Sequence, residues 1–260
     1  MQHPPPSLLN KVPVATLAFW CIKILATTVG ETAADYLAVH VGLGALVTDA
    51  ITAALLAAAL LWQLRQQSHV PWIYWLTVVL LSIAGTQVTD ALTDALGVSL
   101  YLSTGVFGVL LAMLFAVWFR SERTLSIQTI VTRRRELFYW GAILLTFALG
   151  TAAGDLATEE LALGFRIGVL VFGGLIAAVA FFRRCGVDAV LSFWLAYILT
   201  RPLGASLGDL LSQSRTYGGL GWGTVATSLV FLGAITVLVV GVSLRAASVT
   251  TTPPRKVSPT

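Results

Sequence analysis

Charge is what this chain most lacks. Only 11% of its 260 residues are Asp, Glu, Lys or Arg, against roughly 25% in an ordinary soluble domain. With 57% hydrophobic residues and a mean hydropathy of +0.86, it has too little polar surface to stay in water, and a soluble globular domain is excluded. There are two cysteines, Cys21 and Cys185. They fall in different segments without a C-x-x-C spacing, which rules out a disulfide framework and a thiolate metal site. There are three histidines, His3, His40 and His69, and zinc or copper would favour His or Cys ligands. No basic stretch followed by a short apolar core opens the chain, so no cleaved signal peptide is expected. No run has strand character, and an open sheet in lipid would leave backbone groups unpaired.

What is present is a series of long apolar segments, each near the roughly 20 residues that span a bilayer. Eight can be drawn, at about 13–38, 42–63, 71–94, 98–119, 136–160, 163–182, 187–211 and 222–244. The expected fold is therefore all-α, a polytopic membrane protein. Residues 1–11 are expected to form a disordered N-terminus, 12–119 a first membrane half, 120–135 a loop, 136–246 a second half, and 247–260 a disordered tail rich in proline. The net charge is +4, and twelve of the sixteen Lys and Arg residues fall in loops on one side of this arrangement. That pattern is the positive-inside signature, and it predicts cytoplasmic termini rather than nucleic-acid binding. Trp62 and Trp118, near the basic ends of their segments, have the placement of interfacial anchors.

The most informative feature is an internal repeat. Gly150-Thr151-Ala152-Ala153-Gly154-Asp155 is followed four residues later by Glu159. The same stretch ends in Glu31 and Asp35 in repeat one, in Asp90 and Asp94 in repeat two, and in Asp209 in repeat four, where Gln213 replaces the second acid. The small residues that recur around the acids are Thr27, Gly30, Gly85, Thr86, Gly150, Thr151, Gly154, Gly204 and Gly208. An aromatic–Trp pair precedes each acid: Tyr74-Trp75, Tyr139-Trp140 and Phe193-Trp194 at a constant offset, and Phe19-Trp20 displaced by about one helical turn. Each repeat is two spans long, so the four copies are parallel helical hairpins, packed either with pseudo-fourfold symmetry or as two pairs.

Acids at i and i+4 share a helix face, and burying such a pair in a membrane requires a bound cation, protonation or a buried base. Glu31, Asp35, Asp90, Asp94, Asp155, Glu159 and Asp209 are the candidate cation ligands or proton carriers, and Asp49 is a possible eighth. Oxygen ligands of this kind suit a divalent ion of the Mg, Mn or Ca type. His40, near Asp35 in sequence, is a weaker candidate ligand. Lys23 and Arg201 each lie eight residues before the first acid of their repeats, where repeats two and three have Ser82 and Phe147. They read as internal counter-charges, serving either helix packing or the tuning of the acids. The first acids fall about 27–33 Å along their helices at 1.5 Å per residue, toward the outer edge of the bilayer. Asp35, Asp94 and Glu159 can therefore be either ligands at membrane depth or polar caps in water.

The string Lys23-Ile24-Leu25-Ala26-Thr27-Thr28-Val29-Gly30-Glu31, with Phe19-Trp20 before it and the later Gly-Thr-x-x-Gly-Asp copies, resembles an uncharacterised bacterial family of integral inner-membrane proteins. The resemblance covers most of the chain and implies a bacterial inner membrane, but it supplies no activity. Repeat four departs from the pattern at Ala205 and Gln213. The Gly-x-Gly-Asp string of intramembrane aspartyl proteases is absent, with Ala152 and Ser206 in the relevant places, and no enzyme is expected. The expected function is a transporter or channel for a divalent metal cation, with proton coupling as one mode. Two alternatives stay open: a scaffold or sensor held by internal ion pairs, and an organic-cation transporter using Trp and Tyr as cation–π partners. The lipid bilayer, a small cation and a second copy of the chain are the expected partners, and nucleic acid is not.

Overall fold

The computed structural model describes residues 10–39 and 44–250. Among these residues the chain forms eight long helices and no strand: α1 (Leu17–Val39), α2 (Ala45–Arg65), α3 (Pro71–Asp90), α4 (Leu100–Glu122), α5 (Arg133–Asp155), α6 (Gly164–Arg184), α7 (Ala189–Ser212) and α8 (Thr224–Thr250). All eight are long and apolar enough to cross a bilayer, and the chain is a helical membrane protein. The helices overlap the expected spans closely, with instructive differences at the ends. α5 starts inside the expected 120–135 loop because the Thr132 hydroxyl accepts the Arg135 amide at 3.3 Å, and this cap lets the arginine run enter the helix. α8 continues to Thr250, past the expected boundary at 246. The two short links α6–α7 and α3–α4 turn through Gly186 (φ 102°) and Gly97 (φ 66°), a backbone region costly for residues with a Cβ.

Sequence neighbours are not the closest neighbours in space. The odd-numbered helices form a closed inner ring, α1 on α3, α3 on α5, α5 on α7 and α7 on α1. Each even-numbered helix lies outside this ring, against the inner helix of the next repeat: α2 on α3, α4 on α5, α6 on α7, and α8 back on α1. The hairpins are therefore opened and interleaved, and the order is cyclic rather than two separate pairs. Burial follows the same division. In the apolar window of each odd helix 61% of residues are buried, against 11–22% in the even ones. The even helices present their leucines, valines and phenylalanines to the surroundings, as a lipid-facing layer should.

The aromatic–Trp pairs knit the inner ring together. Phe19 meets Trp75 of the next repeat with ring centroids 5.4 Å apart, Tyr74 meets Trp140 at 5.5 Å, Tyr139 meets Trp194 at 6.3 Å, and Phe193 returns to Trp20 at 5.5 Å. The pair displaced in sequence, Phe19-Trp20, thus closes the same circle as the others. Tilted and edge-on ring pairs of this kind add about 0.5–1.5 kcal/mol each beyond their buried area. Trp62 is 51% exposed and fits an interfacial role, but Trp118 is 1% exposed. Trp118 instead faces inward, stacked on Phe138 and edge-on to Trp194.

Where the odd helices begin, a second polar cluster lies at the basic end of the bundle. Glu136, fully buried, accepts Lys11 Nζ at 2.6 Å and Gln63 Nε2 at 3.3 Å. Lys11, the last residue of the segment expected to be unstructured, is thereby anchored into the fold, and its backbone N–H donates to Ile130 O at 3.1 Å. His69, in the α2–α3 link, donates from Nδ1 to the Lys11 carbonyl at 3.3 Å and sits edge-on to Tyr74. Burial pushes the His69 imidazole from its ordinary 6.5 down to about 4, the hydrogen bond to Lys11 opposing that shift.

Candidate functional site

The four acidic stretches end on one cavity of about 520 Å³ at the opposite end of the inner ring. All seven repeated acids line it, Glu31, Asp35, Asp90, Asp94, Asp155, Glu159 and Asp209, and Asp49 joins them from α2. Gln213, at the place of the missing eighth motif acid, also faces the cavity. Exposure falls with depth. Asp94 and Glu159 are exposed at the rim, Asp35, Asp90 and Asp155 are half-buried, and Glu31 and Asp209 are each 6% exposed at the bottom. Of the second acids, Asp94 and Glu159 sit at an open mouth, while Oδ2 of Asp35 is buried and has no hydrogen-bond partner among the described residues.

The inner helices reach this cavity in two ways. α3 and α5 each pass at the first acid into a π-helical turn, Ala91–Ala95 and Leu156–Glu160, which carries the second acid. A π turn is wider than an α turn and is commonly found at functional sites. α1 instead runs on as regular helix through Asp35, and α7 stops at Ser212, one residue before Gln213. Repeats two and three therefore resemble each other in backbone, as they do in having no cation eight residues before the acid.

Behind Glu31 lies Arg201. Its side chain is fully buried and bonds to each of the other three repeats. Nη2 lies 2.7 Å from Glu31 Oε2 and also donates to the Thr86 hydroxyl. Nη1 donates to Thr27 O at 2.6 Å and Ser82 Oγ at 3.2 Å, and Nε donates to Thr151 Oγ1 at 2.9 Å. The repeated threonine is thereby explained: Thr86 and Thr151 offer hydroxyls to the guanidinium, and Thr27 offers its carbonyl. A guanidinium is suited to this role because its five N–H groups fan out in a plane.

The repeated glycines let the ring close this tightly. A Cβ on Gly150 would lie 2.5 Å from Arg201 Cβ, one on Gly85 would meet Phe147, one on Gly204 would meet Thr27, and one on Gly30 would meet Ser82. Gly154 packs against Pro202 and Gly208 against Glu31. Each contact joins one repeat to the next around the ring, the close backbone approach that small residues permit between membrane helices.

Lys23 behaves differently from Arg201. It too is fully buried, but it forms no ion pair with a carboxylate among the described residues. Its Nζ has no hydrogen-bond partner there and lies 4.1 Å from the Phe147 ring centre and 4.3 Å from that of Tyr197. Of the two residues expected to be counter-charges, Arg201 pairs with a carboxylate, while Lys23 stands against two aromatic rings. In the same inner ring the buried hydroxyls of Tyr74 and Tyr139 lie 2.5 Å apart. Among the described residues, no three His, Cys, Asp or Glu side chains come together closely enough to hold a metal ion. His40 lies outside the described residues. Glu136 and its partners escaped the sequence reading, although an acid at the head of an apolar segment was a usable signal.

Four consecutive stretches of the chain, residues 18–69, 73–124, 138–184 and 192–247, match the family described as Repeat of Unknown Function (DUF347). The matches cover more than half of the chain, which belongs to this family. Each begins within an inner helix and takes in the outer helix that follows it. No curated protein and no solved structure matches the chain.

Proposed function

We propose that this protein is a membrane transporter or channel for a small inorganic cation, which enters the acidic vestibule and competes with Arg201 for Glu31. One observation carries this reading: eight carboxylates line a single cavity, and one of the two most buried, Glu31, is paired with a buried guanidinium. That many negative charges around one cavity repel each other, and an entering cation relieves the repulsion. Ionisable residues at membrane depth mark ion pathways more often than they serve packing. A divalent ion of the Mg, Mn or Ca type suits the oxygen lining. The acids are spread around the wall, and the cavity of about 520 Å³ has room for roughly seventeen waters at about 30 Å³ each. Such a site fits an ion that keeps much of its hydration shell, as Mg²⁺ does. Protons can share the carboxylates, which supplies a route to coupling. The organic-cation alternative is weakened because, among the described residues, no aromatic side chain lines the vestibule.

The basic residues gather where the odd helices begin. By the positive-inside rule that end faces the cytoplasm, both termini are cytoplasmic, and the vestibule opens outward. A bacterial inner membrane, which the sequence resemblance implies, fits this reading. A second reading, a non-transporting scaffold, is favoured by the way Arg201 bonds to the other three repeats, since a structural pin would do the same.

Proteoliposomes test both. Flux of a divalent cation, with ion-dependent thermal stabilisation of the wild type and loss of both in Asp155→Asn/Glu159→Gln, supports transport. Stabilisation without flux points to an ion-binding protein, and the absence of both to a scaffold.

A further inference from the structure

We infer that a second site, at the basic end and independent of the vestibule, holds an anionic phospholipid in the groove between α6 and α7. A cavity of about 480 Å³ opens there, with Trp20, Val179, Ala180 and Phe193 among its apolar walls and Arg183 and Arg184 on its lining. Comparison with the neighbouring outer helix explains its existence. Near the end of α4, Trp118 turns inward and fills the space against Phe138 and Trp194. Near the end of α6, Phe181 and Phe182 face outward, 61% and 56% exposed, and the small Ala180 lines the groove instead.

The charges at its mouth are uncommitted. Arg134 and Arg135 at the same end pair with Glu122, at 3.7 and 2.8 Å. Among the described residues Arg183 and Arg184 have no such partner. The nearest acid in sequence, Asp188, already accepts the Val190 and Leu191 amides at 3.0 and 2.9 Å. Arg183 donates weakly to the Val187 carbonyl at 3.4 Å, which orients it without neutralising it. An acyl chain in the apolar groove with its phosphate on the two guanidinium groups satisfies both halves of the site, and basic pockets between membrane helices recognise anionic headgroups in this way. Ser126 and Gln128 on the facing loop offer polar groups to the glycerol and ester oxygens.

The test is native mass spectrometry of the full chain in detergent, with phosphatidylglycerol and phosphatidylcholine of matched chains as probes. The wild type should retain phosphatidylglycerol at least about tenfold better, given roughly 1 kcal/mol per basic residue near an anionic headgroup. Arg183→Gln/Arg184→Gln should abolish that preference, and Ala180→Trp should reduce retention of both lipids. Arg133→Gln, a charge lost elsewhere at the same end, should change neither. Equal retention of the two lipids by the wild type, or an unchanged preference in the double glutamine variant, overturns the proposal. Undiminished retention by Ala180→Trp overturns the groove as the place. The glutamine substitutions are on exposed side chains, so their outcome stands even if the tryptophan variant fails to fold.

Discussion

Arg201 of the last repeat and Glu31 of the first meet at 2.7 Å, inside a ring to which the two middle repeats contribute Ser82, Thr86 and Thr151. The pair closes the inner circle of helices, and its Glu31 lines the vestibule, so one contact serves both fold and site.

Removing one partner of a buried pair leaves an uncompensated charge and costs about 3–5 kcal/mol. Arg201→Met should therefore lower the melting temperature sharply. Arg201→Met combined with Glu31→Gln should recover part of the loss, because no charge is then left alone. If the double variant melts no higher than the single one, the stability lies in the guanidinium's other hydrogen bonds.

Lys23→Met is expected to behave in the opposite way. The ammonium has two ring faces but no hydrogen-bond partner among the described residues. Its cation–π gain of about 2 kcal/mol opposes the larger cost of an unpaired buried charge. A thermal melt should show equal or higher stability. A loss above about 2 kcal/mol would mean that Lys23 has a partner in the working protein.

Two glycine substitutions separate ring closure from helix propensity. Gly150→Ala drives a Cβ into Arg201 and should cost about 1–3 kcal/mol, as overpacking does. Gly105→Ala, on an exposed face of α4 with nothing near the added atom, should be neutral or stabilising by up to about 1 kcal/mol. Paired melting curves check the difference.

His69 gives a pH dependence with a defined sign. In the fold it stays neutral down to about 4, whereas unfolded it titrates at its ordinary 6.5. Between these values the unfolded chain binds the extra proton, so stability falls as pH drops from 6.5 to 4 and then levels off. The full shift is worth about 3 kcal/mol. Melting temperature against pH should show this slope in the wild type and lose it in His69→Phe.

Much of this arrangement was legible in the residues. Apolar run lengths located the eight helices, and constant offsets between acids, threonines and aromatic pairs identified four units facing the same way. The convergence of the seven acids followed from those offsets. Other features left no such trace. Hairpin adjacency suggests that α1 packs on α2, and only side-chain volumes around the whole ring decide that α2 packs on α3 instead. The π turns at Asp94 and Glu159 are invisible because acids four apart also suit an α-helix. Lys23 and Arg201 occupy equivalent places, yet the length and fork of arginine reach Glu31, while the Lys23 amine ends among rings. Lys11 reads as the end of a proline-rich tail until Glu136 is seen beside it.

The interleaving of outer and inner helices has a consequence for biogenesis. Each outer helix covers the inner helix made after it, except that α8 covers α1. During synthesis the first helix, which carries Lys23 and Glu31, enters the membrane without its cover and without Arg201, and must wait for nearly the whole chain to follow. The insertion machinery, or another protein standing in for α8, has to shelter those two charges through that interval. A stop codon before α8 would leave the first helix permanently uncovered, and the truncated chain would be a target for membrane quality control.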